Sequence, residues 1–244
     1  MLTPFGYFDL IDEMAQPGCP VCNLLMRDAQ KILNTILYEY VTEPEMHHMF
    51  RNSRGLCNEH GWQLTEQGNA MSIAVLYVAV VDEILKELDG KSSQKSVRRL
   101  FNKNGNKPLV DALMPKSPCP VCAKRDENEE RYIAVFSDHL ADAKLMSAYE
   151  QSDGVCLDHF KQILNRTSNQ DRANALVHIQ RKIWTELKYD LSEFVRKYDF
   201  NNADEEMGVE GDSWLRSIRQ MTGGKGVFGL RRMANRFWKN TDSP

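Results

Sequence analysis

Cys-Pro-Val-Cys occurs twice in this chain, at residues 19–22 and 119–122, and a Gly-x-Cys-x-x-His element follows each copy. The first of these reads Gly55-Leu56-Cys57-Asn58-Glu59-His60 and the second Gly154-Val155-Cys156-Leu157-Asp158-His159. The offset is 100 residues for the first element and 99 for the second. Leu10-Ile11-Asp12 matches Leu109-Val110-Asp111 upstream of the two pairs. A chain with such a period is built from two related units, and that constrains its fold more than any local propensity. Copy one is placed at about residues 8–89 and copy two at about 108–199.

The six cysteines of the chain are all used by these elements, three in each copy. Cys and His at positions i and i+3 lie on one face of a helical turn, so both can point at one ion. A helix N-terminus stabilises a thiolate, and Gly55 and Gly154 suit a turn entering that helix. Cys-Pro-x-Cys suits a tight turn that aims two thiolates at the same point. Tetrahedral zinc takes four N/S ligands, and Cys3His is a common structural set. The expected sites are therefore Cys19, Cys22, Cys57 and His60 in one copy, and Cys119, Cys122, Cys156 and His159 in the other. Two structural zinc ions are the expected cofactors. An iron–sulfur cluster and a Cys-x-x-Cys redox switch are the competing readings. Glu59 and Asp158 precede the histidines; they either orient the imidazoles or simply favour a helix N-terminus.

Between these elements the pattern is helical. Leu24, Leu25, Ala29, Ile32, Leu33, Ile36, Leu37 and Tyr40 recur at three- and four-residue steps, as do Tyr132, Val135, Phe136 and Leu140. Leu176, Ile183, Leu187, Leu191 and Phe194 continue the pattern. Thr42–Pro44 and Asp142 read as breaks that start second, shorter helices. The expected fold is all-α, a tandem pseudo-repeat of two zinc-stabilised helical units with an amphipathic helical tail. In residue terms, 1–89 is the first Cys3His unit and 90–118 a connector with a short helix around Val97–Phe101. Residues 119–199, with a preceding helix from about 108, form the second unit, and 200–244 an acidic loop and basic tail.

Apolar residues make up 42% and charged residues 27% of the 244, which places the chain among folded proteins. Its net charge of −3 is unevenly spread: Ser213–Asn240 holds seven basic residues and no acidic one. A helix is expected from Ser213, capped by Asp212 or Ser213, with Trp214, Leu215, Ile218 and Met221 on one face and Gly223-Gly224 ending it. Further on, Leu230, Met233, Ala234, Phe237 and Trp238 share an arc opposite Arg231, Arg232, Asn235, Arg236 and Lys239. These apolar faces dock on the body or in a homodimer, or the tail meets an anionic membrane surface or nucleic acid through Arg231, Arg232, Arg236 and Lys239. The upstream acidic loop is a further candidate to pair with the tail. No basic-then-apolar leader is evident, and the apolar run Ala70–Val81 is short for a membrane span, so a cytoplasmic protein, at most peripheral to the membrane, is expected.

No Gly-rich phosphate loop, nucleophile elbow or zincin helix appears. His47, His48, His139 and His178 read as surface or internally satisfied histidines. Four convergent ligands fill a zinc site, whereas catalytic zinc keeps an open position. The chain thus reads as a non-enzymatic interaction or adaptor module engaging a macromolecular partner. A redox- or metal-responsive protein is the alternative, and an enzyme with an unseen site a weaker one.

The string Leu10-Ile-Asp12…Pro17-Gly-Cys-Pro-Val-Cys22, followed by Gly55-Leu-Cys-Asn-Glu-His-Gly-Trp-Gln-Leu64, resembles an uncharacterised prokaryotic family of the domain-of-unknown-function type. The resemblance extends over most of the chain, to Trp214-Leu-Arg216. It implies no activity.

Overall fold

The computed structural model describes residues 6–89, 107–202 and 204–228. Among them are eleven α-helices and no strand. The all-α expectation holds, because apolar residues recur at helical spacing nearly everywhere and breakers fall between the runs.

The first half runs through α1 (Tyr7–Met14), α2 (Pro20–Tyr38), α3 (Pro44–Ser53), α4 (Asn58–Glu66) and α5 (Ala70–Leu88). The second runs through α6 (Lys107–Leu113), α7 (Pro120–Asp138), α8 (Ala143–Glu150), α9 (Leu157–Arg166) and α10 (Gln170–Lys197), followed by α11 (Ser213–Thr222). The expected breaks are helix starts. Pro44 opens α3, and Asp142 caps α8 by accepting from the Lys144 and Leu145 N–H groups. The connector's expected helix at Val97–Phe101 and the tail arc from Leu230 to Lys239 lie outside the described residues.

The chain divides into two compact units that do not follow the order of the repeat. One unit comprises residues 1–27 and 127–244, the other residues 28–126. A division into 1–89 and 119–199 is therefore not how the described helices cluster. The boundaries fall inside α2 and α7. The beginning of α2 places Val21, Leu24 and Leu25 in the core of the first unit, with Tyr132, Phe136, Leu145, Tyr149 and Ile163. Its remainder places Ala29, Leu33, Ile36 and Leu37 in the core of the second, with Phe50, Leu64, Leu76 and Val80. Conversely, α7 begins in the second core with Val121 and continues in the first with Tyr132–Phe136.

In the discontinuous unit, the acidic loop after α10 folds back onto that helix's C-terminal turn. Arg196 holds Glu205 through two nitrogens at 2.9 and 2.7 Å, and Lys197 reaches Glu210 at 2.7 Å. Cations in a last helical turn also suit the helix dipole. Within the described residues the loop's acids thus engage α10. Glu210 also accepts from the Gly208 N–H, and these contacts lower its pKa to about 2.

Candidate metal centres

Each of the four motifs occupies the first turn of a helix. Pro20 and Pro120 are the first residues of α2 and α7, where a missing N–H costs nothing and φ is already helical. Cys19 and Cys119 precede them, and their carbonyls accept the first helical bonds from Asn23 and Ala123. Cys57 and Cys156 are the N-caps of α4 and α9, and their carbonyls accept from Gly61 and Phe160. Cys-Pro-Val-Cys is therefore a helix start and not a free-standing tight turn. Every ligand candidate sits at an N-cap or three residues beyond it, where the positive end of the helix dipole favours thiolate. The chain enters α4 and α9 through Gly55 and Gly154, at φ of 84° and 78°. A Cβ on Gly154 would stand 2.8 Å from Gln180 Nε2, and one on Gly55 3.0 Å from the Tyr77 ring.

These helix starts meet in pairs, but not in the pairs expected from the repeat. Cys19 and Cys22 lie with Cys156 and His159; Cys119 and Cys122 lie with Cys57 and His60. The expected pairing within each copy is corrected to an exchange between copies. The reason is the rise of the helix. Sixteen residues of α2 follow Cys22 at 1.5 Å each, which carries the chain roughly 24 Å away before it turns toward Cys57. Its own Cys57 and His60 belong to the unit that α2 runs into, and the same holds for α7.

In the first group, His159 Nδ1 is 3.3 Å from Cys19 Sγ, 3.4 Å from Cys22 Sγ and 3.3 Å from Cys156 Sγ. Cys22 and Cys156 sulfurs are 3.8 Å apart. In the second, His60 Nδ1 is 3.3 Å from Cys57, 3.6 Å from Cys119 and 3.3 Å from Cys122, with Cys122 and Cys57 sulfurs 3.5 Å apart. A tetrahedral ion with metal–sulfur bonds of about 2.3 Å and a metal–nitrogen bond near 2.0 Å requires S···S edges of about 3.8 Å and N···S edges of about 3.5 Å. The observed edges fit a single ion. They are far from the ~2.05 Å of a disulfide, and all six cysteines are free thiols.

The two groups differ in their surroundings. All four side chains of the first are buried. Glu129, itself buried, places Oε1 3.2 Å from His159 Nε2 on the side away from the sulfurs, and the same oxygen accepts from Gln162 Nε2 at 2.8 Å. The contact with His159 is an ion-pair distance without hydrogen-bond alignment, and a carboxylate in this place can orient a metal-ligating imidazole and raise its basicity. Gly224 N–H donates to Cys22 Sγ at 3.3 Å, Val227 is fully buried, and Phe228 packs against the His159 ring at 5.2 Å. A Cβ on Gly224 would stand 3.0 Å from Cys22 Cβ, so any larger residue would require Cys22 to shift by a few tenths of an ångström. In the second group Cys57 is partly exposed. The place of Glu129, seven residues after the second cysteine of the pair, is taken there by Ala29.

Burial opposes charge on both imidazoles, but the thiolates, joined at His159 by Glu129, raise both ring pKa values, His60 to about 9. Hydrogen bonds from Cys119 and Cys122 lower the pKa of Cys57, while Cys122 is raised by its sulfur neighbours. In the first group, burial opposes ionisation of Cys19 but hydrogen bonds from Cys156 and Cys22 lower its pKa, and Cys22 is raised. Three thiols in van der Waals contact cannot all ionise without a cation among them.

The sequence left Glu59 and Asp158 as candidates to orient the histidines. Asp158 instead pairs with Lys161 one turn on, at 2.8 Å. Glu129, Gly224 and Phe228 were missed. Comparison of the copies carries one signal: an acid at residue 129 against Ala29 at the same register of an otherwise matching element. The remaining histidines are accounted for elsewhere. His47 and His139 contact the Val41 and Val135 carbonyls, His48 contacts Asn52, and His178 is exposed. Among the described residues no helix is long and apolar enough to cross a membrane.

Fold and site together define an all-helical protein with two buried groups of three cysteines and one histidine, each able to hold a metal ion. Residues 8–227 match the model of a family of unknown function (DUF6062), and the chain belongs to that family. An uncharacterised 23.9 kDa protein from the xynA 3′ region of Caldicellulosiruptor sp. (strain Rt8B.4) is 21% identical over 194 residues, 79% of this chain and 88% of that protein. No solved structure matches.

Proposed function

We propose that the protein is a non-enzymatic, zinc-stabilised helical interaction module holding one structural zinc ion in each unit. The observation that carries this is the donor set: four N/S atoms per group, within 4.8 Å of one another, on helix starts. Four such donors fill zinc's tetrahedron and leave no position for substrate. A polynuclear iron–sulfur cluster attaches its ligands to different irons, which spreads them wider than the edge of one ion's tetrahedron. Each ion would tie together segments that adjoin only in the folded chain, so its binding free energy becomes folding free energy. Elemental analysis of protein purified without added metal should find two zinc ions per chain and no visible absorbance, and strong chelators should unfold it. Iron, or a folded metal-free protein, is the result that counts against the assignment.

Partial exposure of Cys57 favours a second reading, in which the second site is metal- or redox-responsive. Zinc release from that site under mild peroxide, with the first site retained, is its test. The surface of α11 bears on the partner class. This helix docks through polar groups: Gln220 bridges Trp184 and the Asp153 carbonyl, and Arg216 pairs with Asp190 at 2.9 Å. Trp214, Ile218 and Met221 face outward, and Arg219 is exposed beside them. This face, for which the sequence left the body, a homodimer, an anionic membrane surface and nucleic acid open, is exposed, and Trp214 beside Arg219 supports an anionic membrane surface as partner of this end of the chain. Retention on vesicles containing phosphatidylserine, lost on Trp214→Ala, is the corresponding test.

A further inference from the structure

Helix α5 is apolar on two faces, and the described residues cover only one of them. Leu76 and Val80 are buried in the core of the 28–126 unit beside Phe50 and Leu64. The outward face carries Met71, Val78, Val81, Leu85 and Leu88, exposed by 75, 60, 51, 51 and 51%, with Ala74 also exposed. An ordinary surface helix presents charge there, and a helix apolar all round is normally enclosed. The order of the exposed residues is informative. Positions 71, 74, 78, 81, 85 and 88 step by three and four residues in strict alternation, the spacing that forms a knobs-into-holes seam with another helix.

We infer that this seam is the interface of a homodimer, in which α5 packs antiparallel against α5 of a second copy. The residues are self-complementary in that orientation. A two-fold axis between 78 and 81 sets Met71 against Leu88, small Ala74 against larger Leu85, and Val78 against Val81, so every layer is apolar and the smallest residue meets a leucine. Charge selects the same direction. No Asp, Glu, Lys or Arg occurs from Ala70 to Val81, whereas exposed Asp82 and Asp89, with Lys86 between them, flank the seam beyond it. A parallel pair would bring each aspartate beside its own copy; the antiparallel pair sets the acidic end of one helix against the uncharged end of the other. The exposed side chains amount to roughly 500 Å² per copy, about 1,000 Å² for the pair, which reaches the lower bound for a specific interface. None of these residues is among the candidate metal ligands, so the argument for the seam does not use the metal assignment.

The test uses the full-length, metal-loaded chain in sedimentation equilibrium at micromolar concentration. The expected mass is twice 28.1 kDa. Val78→Lys and Val81→Glu, both at exposed positions, should each leave helicity and metal content unchanged and weaken association about 100-fold, because two buried charges then enter each dimer. The double variant Val78→Lys/Val81→Glu should recover to within about tenfold of the parent, since each lysine then faces a glutamate across the axis. A monomeric parent overturns the inference, as does a dimer indifferent to the single substitutions. So does a double variant that stays monomeric, which excludes the antiparallel register. A parent that dimerises only after removal of residues 229–244 would assign the seam to the tail, and overturns it equally.

Discussion

Substituting cysteines two at a time asks which motifs share an ion. Cys156→Ala should leave one metal ion per chain. Adding Cys19→Ala should still leave one, because both cysteines belong to the same group. Combining Cys19→Ala with Cys57→Ala should leave none, one ligand being removed from each group. The structure also sets the energetic scale. The first group joins segments 134 to 140 residues apart, and the second segments 59 to 65 apart. Treated one at a time as cross-links, such closures are worth about 5 and about 4 kcal/mol of chain entropy. That is comparable to the whole stability of a typical domain, so losing either ion should unfold its unit. The second substitution within one group should then cost almost nothing more, the mark of residues acting as one entity. Native mass spectrometry counts the ions, and thermal melts followed by circular dichroism read the energies. A Cys19/Cys57 double variant that keeps one ion, with a Cys19/Cys156 variant that keeps none, would restore pairing within each copy and refute the exchange.

Three further outcomes follow from the inequality of the two groups. Glu129→Gln should weaken metal binding at the first site about 10-fold, and Glu129→Ala up to about 100-fold, with the second site unaffected, as read by competition with a chromophoric chelator. His60 holds a proton up to about pH 9 when its site is metal-free, but coordinates as a neutral ring. In the fraction of metal-free chain that is still folded, the proton on His60 contributes stability fully below its ordinary value of 6.5, and this is lost as pH climbs through about 9. Metal affinity runs the other way, increasing up to about pH 9 and collapsing in acid. Calorimetry of zinc binding in buffers of different ionisation enthalpy should detect fewer protons released per ion at pH 9.5 than at pH 7.5. Cys57 should be the first cysteine labelled by a small alkylating agent, as partial exposure and a lowered pKa both favour its thiolate; peptide mapping that finds Cys22 or Cys156 modified first would contradict this.

The eight ligand candidates were legible in the primary sequence because their chemistry is local. A cysteine before a helix and a residue three positions on share a face whatever the rest of the chain does. Helical class was legible for the same reason: the run from Leu24 to Leu37 repeats at the period of the structure it forms. Asp142 could be read as a helix start because its side chain caps its own backbone. Partnership between motifs was not local. It depended on where α2 and α7 deliver the chain after leaving Cys22 and Cys122, which is a matter of helix length and packing. Glu129 lay beyond reach for the same reason, since it meets His159 only after α7 crosses from one unit's core into the other. Which way the apolar face of α11 turns was not legible, because amphipathicity identifies an apolar face but not which face the body will take; Gln220 and Arg216 found part-buried partners that no pattern announces. Sequence alone thus determined which atoms can bind metal, while tertiary structure decided which of them bind together, because coordination requires proximity in space and a helix of nineteen residues separates what the repeat sets side by side.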